Sequence, residues 1–310
     1  MTFSRVLSFF ALILAPLFFA SNLLFGKVVI PNIEPWTLAF IRWGLVSLIL
    51  LPFVTRPLFA EWSHIRRNLP LFAIMGFLAM WICGALVYYA LSLTTATNAT
   101  LIYLSAPVII IIAEALVRGR RISLREGIGI AAATLGVATI LLRGDFNALF
   151  HLQFNGGDLT MVFAAIAWAV YSVVFKNESL VRLPSTLLLF LFSASAAVLL
   201  APFALVEVIY VSPVPTSLFV WLNIAGIIFS SSLAAFLAYQ HSVRTVGPAL
   251  AGIFMYLLPG YGVGLAVLLL GEKFEHFHLV GVMTILGGVI LATFPVAMVR
   301  RLRKPVSEGI

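Results

Sequence analysis

Ten long apolar runs follow one another along the chain, separated by short polar segments. Each run is close to the roughly 20 residues that a helix needs to cross the hydrocarbon core of a bilayer. The runs are continuously apolar, without the period-two alternation of barrel strands, so they predict helices. We therefore predict an all-α integral membrane protein with ten transmembrane helices, at 7–29, 35–54, 69–92, 96–117, 124–142, 157–176, 184–206, 216–240, 246–270 and 277–299.

The distribution of basic residues predicts how the helices are oriented. With the N-terminus in the cytoplasm, 15 basic residues fall on the cytoplasmic side, and three (Lys27, Arg143 and Lys273) fall on the other. Loops rich in Lys and Arg are retained in the cytoplasm, so both termini are predicted to be cytoplasmic. The net charge of +8 is then explained by topology. It indicates anionic lipid headgroups as neighbours and gives no support for a nucleic-acid partner.

The two halves of the chain align with each other, which predicts an inverted repeat, the alternative being chance similarity between apolar segments. Displacing the chain by 149 residues, and after a short shift by 152, aligns matching residues across five spans. The aligned pairs include Asn22 with Tyr171, Pro35 with Pro184, Pro107 with Pro259, Gly129 with Gly281, and Gly136 with Gly288. Five spans per half place the second half in the membrane upside down, as in many secondary transporters. The predicted units are a first repeat at 1–142, a connecting loop at 143–156, an inverted second repeat at 157–299 and a basic tail at 300–310.

The end of the second repeat carries a recognisable pattern, Pro259…Gly271-Glu272-Lys273…Gly281…Gly288. With the ten paired spans, it resembles the EamA-type transporters of the drug/metabolite transporter superfamily. The first half departs from the pattern, since Arg120 stands at the position that matches Glu272. The resemblance implies a multi-pass protein of the bacterial cytoplasmic (inner) membrane. The tyrosines and tryptophans make the chain similar to exporters of aromatic and other neutral amino acids.

Polar and aromatic residues at helical spacing predict a central cavity, because polar side chains in hydrocarbon tend to face the bundle interior. Aromatic rings with polar tips suit a ligand with an apolar side chain and a zwitterionic end. The predicted substrate-binding residues are Asn22, Tyr89, Tyr103, Trp168, Tyr171, Ser172, Tyr239 and Tyr256, with Phe19, Tyr88, Asn98, His241 and Arg42 as further candidates. The alternatives are anchoring of aromatic rings at the membrane interface, and interhelical hydrogen bonds.

Three features bear on mechanism. Arg42 either binds a substrate carboxylate or pairs with Glu114 or helix-end carbonyls. Pro107 and Pro259 are hinge candidates, because proline frees a backbone carbonyl and can kink a helix. Intramembrane carboxylates, on which proton or sodium coupling usually relies, are scarce, which favours transport down the cargo's own gradient or coupling through a less obvious group.

These patterns favour an exporter of small metabolites, chiefly neutral and aromatic amino acids, that works by alternating access. Another cargo, such as a drug, nucleoside or sugar-nucleotide, stays open, as do an integral-membrane enzyme and a channel. No nucleophile elbow, metal-ligand pair or selectivity-filter motif is present, and no cofactor or metal is expected. The sequence leaves the oligomeric state open.

Reporter fusions test the predicted topology. Fusions after positions 66 and 150 should report opposite sides of the membrane, because the retained basic loops alternate along the chain. Finding both reporters on one side would contradict the arrangement.

Overall fold

A computed structural model describes residues 3–119, 121–151, 155–271 and 273–293. Arg120, Glu272 and the predicted tail 300–310 lie outside the described residues. Ten helices in the described part are long and apolar enough to cross a membrane, which confirms the predicted all-α class. We number them α1 (Ser8–Gly26), α2 (Pro35–Ala60), α3 (Leu69–Leu93), α4 (Asn98–Arg118), α5 (Leu124–Leu141), α6 (Gly156–Val174), α7 (Ser185–Tyr210), α8 (Leu218–Val246), α9 (Pro248–Leu269) and α10 (His276–Thr293).

Short elements join these helices. The connections include helices at Trp62–Arg67 and Glu178–Val181 and 3₁₀ turns at Ile30–Asn32 and Phe146–His151. Three helices continue beyond the predicted spans: α2 to Ala60, α7 to Tyr210 and α8 to Val246. Hydropathy reports only the part of a helix that suits lipid, whereas the backbone ladder continues into the polar interface.

Among the described residues, two large apolar cores form beside two small clusters. The larger packs α1, α2, α3, α6, α7 and α8 together with parts of α4 and α9. The smaller packs α5 and α10 against α4 and α9. The helices α4 and α9 contribute to both cores, so the space beside them lies where the two cores meet.

The pair α2 and α7 runs antiparallel and is joined at one end by a carboxylate. Glu207, near the end of α7, accepts hydrogen bonds from the backbone N–H groups of Trp36 and Thr37 at 3.2 and 2.7 Å. These N–H groups belong to the first turn of α2, where backbone N–H groups have no acceptor within their own helix. Phe203 stacks on Trp36 with 5.0 Å between ring centroids. The contact satisfies the start of α2 and fixes its position along α7.

The pair α5 and α10 crosses at four glycines. A Cβ added to Gly129 would lie 2.6 Å from the Gly288 carbonyl oxygen, and one added to Gly136 would lie 2.7 Å from that of Gly281. Small residues let two membrane helices approach this closely. The helices are antiparallel, because the earlier glycine of α5 meets the later glycine of α10.

Alanine substitutions on α10 test this crossing. Gly288→Ala should destabilise the protein by about 1–3 kcal/mol through overpacking, because its Cβ would lie 2.5 Å from the backbone nitrogen of Ala133. The neighbouring variant Gly287→Ala is the matched control, since a Cβ there meets nothing within 4 Å. Thermal unfolding in detergent should show a lower melting temperature for Gly288→Ala only. Equal melting temperatures would contradict the close crossing.

Candidate functional site

A cavity of about 530 Å³ lies between α1, α2, α3, α4, α6, α8 and α9. It reaches the end of the bundle at the turn after α1, where Ile30 is 43% exposed. Its volume is in the range of sites for small organic molecules. The remaining lining residues are Phe19, Asn22, Gly26, Pro31, Arg42, Trp43, Ala79, Cys83, Val87, Tyr88, Leu91, Ala99, Thr100, Tyr103, Leu104, Ala106, Pro107, Ile110, Met161, Trp168, Phe236, Met255, Leu258 and Pro259.

The wall is largely apolar, with a polar group around Arg42 on α2. Its Nε donates to Ser232 Oγ at 2.6 Å, and its two terminal nitrogens donate to Tyr88 Oη at 2.9 Å and to the Ser231 carbonyl at 3.1 Å. Tyr88 in turn donates to Asn22 Oδ1 at 3.3 Å. The Arg42 side chain therefore ties α2 to α3 and α8 while it contributes to the cavity wall.

The helices around this polar group are irregular. Residues Phe77–Leu86 of α3 and Ile227–Ala234 of α8 form π-helical turns, which begin 150 residues apart. The Ser232 hydroxyl bonds back five residues to the Ile227 carbonyl at 3.1 Å. π-helical turns occur often at functional sites, because they re-aim side chains and carbonyls. Here one of them brings Ser231 and Ser232 to Arg42.

Both helices that carry the hinge candidates are interrupted next to the cavity. The helical segment Ala96–Tyr103 ends one residue before Ser105–Arg118 begins, and Pro248–Phe254 is separated from Leu257–Leu270 by a turn. The Tyr256 hydroxyl donates to the Leu104 carbonyl at 3.4 Å, so the two interruptions are in contact. Pro107 and Pro259 follow them and both line the cavity. The hinge role stays a prediction.

Aromatic side chains close the cavity on the side away from Ile30. We call Trp168, Tyr171, Phe175, Phe192 and Tyr239 the aromatic plug; apart from Trp168, which is 6% exposed and lines the cavity, these side chains are essentially inaccessible to solvent. The Trp168 and Tyr239 ring centroids are 4.9 Å apart.

Hydrogen bonds tie the plug to neighbouring side chains. The Tyr239 hydroxyl shares a hydrogen bond of 2.7 Å with Ser172, and Gln240 Nε2 donates to the Tyr171 hydroxyl at 3.3 Å. The plug is thus a packed and hydrogen-bonded layer that joins α6 to α8.

The structure brings part of the predicted site together. The predicted residues that line the cavity are Asn22, Tyr103, Trp168, Phe19, Tyr88, Arg42, Pro107 and Pro259. Tyr171, Ser172 and Tyr239 lie behind Trp168 in or beside the plug. Tyr256 is fully buried between Thr134 and Leu104.

Three predicted residues lie away from the cavity wall. Tyr89 is 42% exposed and its ring is near Trp36, with 6.3 Å between centroids. Asn98 belongs to the first turn of α4, where its backbone N–H donates to Thr95 Oγ1. His241 contacts Ser8 at 3.3 Å near the other end of the bundle.

Several lining residues were not predicted. They include Trp43, Cys83, Met161, Phe236 and the small residues of α4. Apolar side chains give no signal in a chain that is apolar almost throughout. Phe236 could have been predicted from the sequence, since it lies one helical turn before Tyr239 and Gln240 on the same stripe.

Acidic side chains stand outside the cavity. None of the described residues that line it is acidic, and within the described ranges no group of three or more His, Cys, Asp or Glu could hold a metal ion. Glu114 accepts a hydrogen bond from the Ala249 N–H at 3.1 Å and lies 3.8 Å from Arg118. It therefore caps the start of α9 and does not pair with Arg42.

The ten apolar helices and the cavity between them are typical of a polytopic membrane protein. A family model, the EamA-like transporter family, matches residues 6–142 and again 155–294. The chain belongs to the EamA-like transporter family and is a membrane transporter.

Relatives support this assignment. An uncharacterized transporter of Archaeoglobus fulgidus is 28% identical over 291 residues, covering 91% of this chain and 96% of that protein. The uncharacterized transporter YyaM of Bacillus subtilis is 22% identical, with 86% and 87% coverage. A crystal structure with 19% identity superposes with a TM-score of 0.78, covering 97% of this chain and 98% of the other, which shows a shared fold.

Adjacent tyrosines on α3 offer a matched test of the cavity assignment. Tyr88→Phe removes the hydroxyl between Arg42 and Asn22 and should weaken binding of a cavity ligand about three- to tenfold. Tyr89→Phe should bind as the parent does, because its ring is outside the wall. Quenching of tryptophan fluorescence measures both affinities. A larger loss in Tyr89→Phe would contradict the assignment.

Proposed function

We propose that this chain is a secondary transporter of the bacterial cytoplasmic membrane that exports neutral and aromatic amino acids. The observation that carries the proposal is the cavity between the two cores, with an aromatic and apolar wall and a small polar group at Arg42, Tyr88 and Asn22. Aromatic and apolar walls accept neutral side chains of different sizes. The polar group offers hydrogen bonds to the ends of an amino acid.

Alternating access around this cavity is supported by its shape. The cavity extends to the turn at Ile30 and Pro31, while the aromatic plug closes the opposite side. With both termini in the cytoplasm, the open end faces away from the cytoplasm. An exporter releases its cargo from such a state. To reload, the plug around Trp168 and Tyr239 has to open while the Ile30 end closes.

An inverted repeat would supply the second state by exchanging the conformations of the two halves. The glycine crossing supports such a repeat. Gly129 contacts Gly288, and the residues aligned with these two in the repeat, Gly281 and Gly136, contact each other. Helices related by the 152-residue displacement are antiparallel there. The π-helical turns of α3 and α8 and the interruptions of α4 and α9 support it further. The separate family matches to 6–142 and 155–294 agree with the proposed units.

None of the described lining residues has a carboxylate through which transport could be coupled to a proton or a sodium ion. Ion-coupled carriers commonly place an acidic side chain in the pathway. Glu114 and Glu207 are each occupied at the start of a helix. We therefore propose that the cargo moves down its own gradient.

Substrate selectivity tests the proposed cargo. Purified protein in proteoliposomes should exchange phenylalanine, methionine and threonine, and should exchange lysine and glutamate poorly. The reason is that each adds a charged side chain, whereas Arg42 is the one charged residue among the described lining residues, and burying a further charge without its own partner costs several kcal/mol. Counterflow of radiolabelled amino acids measures the rates. Equal rates for glutamate and phenylalanine would contradict the proposal.

Removing the indole ring of Trp168 from the wall tests how selectivity arises. Trp168→Ala should weaken exchange of phenylalanine more than that of threonine, because the indole supplies stacking area that only a large side chain can use. Ile30→Ala, at the mouth of the cavity, is the control and should change both rates alike. An equal effect of Trp168→Ala on both cargoes would exclude Trp168 as a selectivity residue.

A further inference from the structure

Arg42 brings a fixed positive charge to the cavity wall without an acidic partner. Its side chain is buried, with 5% of the residue exposed. In the described part of the chain, no carboxylate oxygen lies within 4.0 Å of its guanidinium. Glu114, the partner considered from sequence, is bound to Ala249 and Arg118 instead. A buried cation in a membrane protein without a counter-ion is energetically unfavourable.

The neighbours of Arg42 accept hydrogen bonds from only some of the N–H donors of its guanidinium. All three of the hydrogen bonds that it makes go to neutral acceptors, namely Ser232 Oγ, Tyr88 Oη and the Ser231 carbonyl. A guanidinium has five N–H donors, so one on each terminal nitrogen is left for a ligand. Trp43 lies 4.6 Å from the guanidinium carbon and covers the charge without neutralising it. The residue is thus held in place, and its charge is left unbalanced.

The arrangement fits a carboxylate and not a larger or more highly charged anion. A carboxylate accepts two parallel N–H bonds from arginine. A phosphate monoester carries about two negative charges, and none of the other described lining residues is Lys or Arg. We propose that Arg42 binds the carboxylate of the cargo, so that transport requires an acid group and does not require an amino group. This inference rests on the proposed function and deepens it.

Three ligands with the same phenyl group and two-carbon spacing separate these requirements. Phenylalanine carries both charged groups, 3-phenylpropionate lacks the amino group and phenethylamine lacks the carboxylate. Binding to the full-length protein in detergent is measured by quenching of tryptophan fluorescence, since Trp43 and Trp168 line the cavity. We expect 3-phenylpropionate to bind within about threefold of phenylalanine. Phenethylamine should bind at least about tenfold more weakly than phenylalanine, because it cannot make the hydrogen bonds between a carboxylate and the guanidinium, and such charged hydrogen bonds contribute about this much affinity.

Two variants distinguish a binding role from a structural one. Arg42→Gln should reduce the preference for 3-phenylpropionate over phenethylamine to about one, whereas Arg42→Lys should retain part of it because the charge stays. Ser232→Ala removes one acceptor of Arg42 but leaves the charge, so the preference should persist even if stability falls. Melting temperatures identify unfolded variants. If Arg42→Gln misfolds, the preference of the parent and Arg42→Lys decides the matter.

Several outcomes would overturn the proposal. These are equal binding of phenethylamine and 3-phenylpropionate by the parent, or a loss in Arg42→Gln that is the same for all three ligands. If none of the three binds, the aromatic cargo is contradicted, and hexanoate against hexylamine repeats the comparison. Failure to prefer hexanoate, including binding of neither compound, would then exclude Arg42 as a carboxylate site.

Discussion

In hydrocarbon, a backbone amide that leaves a regular helix finds no water to replace its hydrogen bond. This constraint makes all ten spans helical, and it also restricts where a helix can be irregular. The π-helical turns of α3 and α8 and the interruptions of α4 and α9 are all adjacent to the cavity. There, side chains such as Arg42 and Tyr256 bond to carbonyls of the irregular segments. The irregular segments of these four helices therefore lie where neighbouring side chains can replace lost backbone hydrogen bonds.

Much of the fold could be predicted from the sequence, because it depends on local features. Runs of about 20 apolar residues indicate helices one by one, and the glycines of α5 and α10 indicate where backbones touch. Neither inference needs knowledge of the distant chain. Helix ends were less well predicted, because α2, α7 and α8 continue past the apolar residues that define a span.

The site was predicted only in part, and α3 shows why. The cavity wall on this helix uses Ala79, Cys83, Val87, Tyr88 and Leu91, and the first two lie within the π-helical turns Phe77–Leu86. A stripe drawn at 3.6 residues per turn loses register across a segment with i→i+5 hydrogen bonds. It placed Tyr89 in the cavity beside Tyr88, whereas the structure puts only Tyr88 there.

The aromatic stripe of α6 shows a second limit. Trp168, Tyr171 and Ser172 share a face, yet only Trp168 meets the open space. Which turn of that face borders the cavity depends on how the neighbouring helices pack against it. A linear pattern has no information about that packing, because the neighbouring helices come from distant parts of the chain.

The helices that line the cavity and the helices that support them differ in the regularity of their backbones. The supporting helices α5, α7 and α10 contribute none of the described lining residues, and their crossings are close and regular. The irregular helices α3, α4, α8 and α9 all contribute to the wall. Arg42 stands on α2, which packs against α7, but its bonds reach α3 and the irregular turn of α8. A carboxylate at Arg42 would act on the same guanidinium that joins these parts. Binding can shift a conformational equilibrium only through interactions that differ between the two states. The bonds of Arg42 are placed to supply that difference, because they cross from α2, which packs against the supporting helix α7, to α3 and α8, whose backbones are irregular.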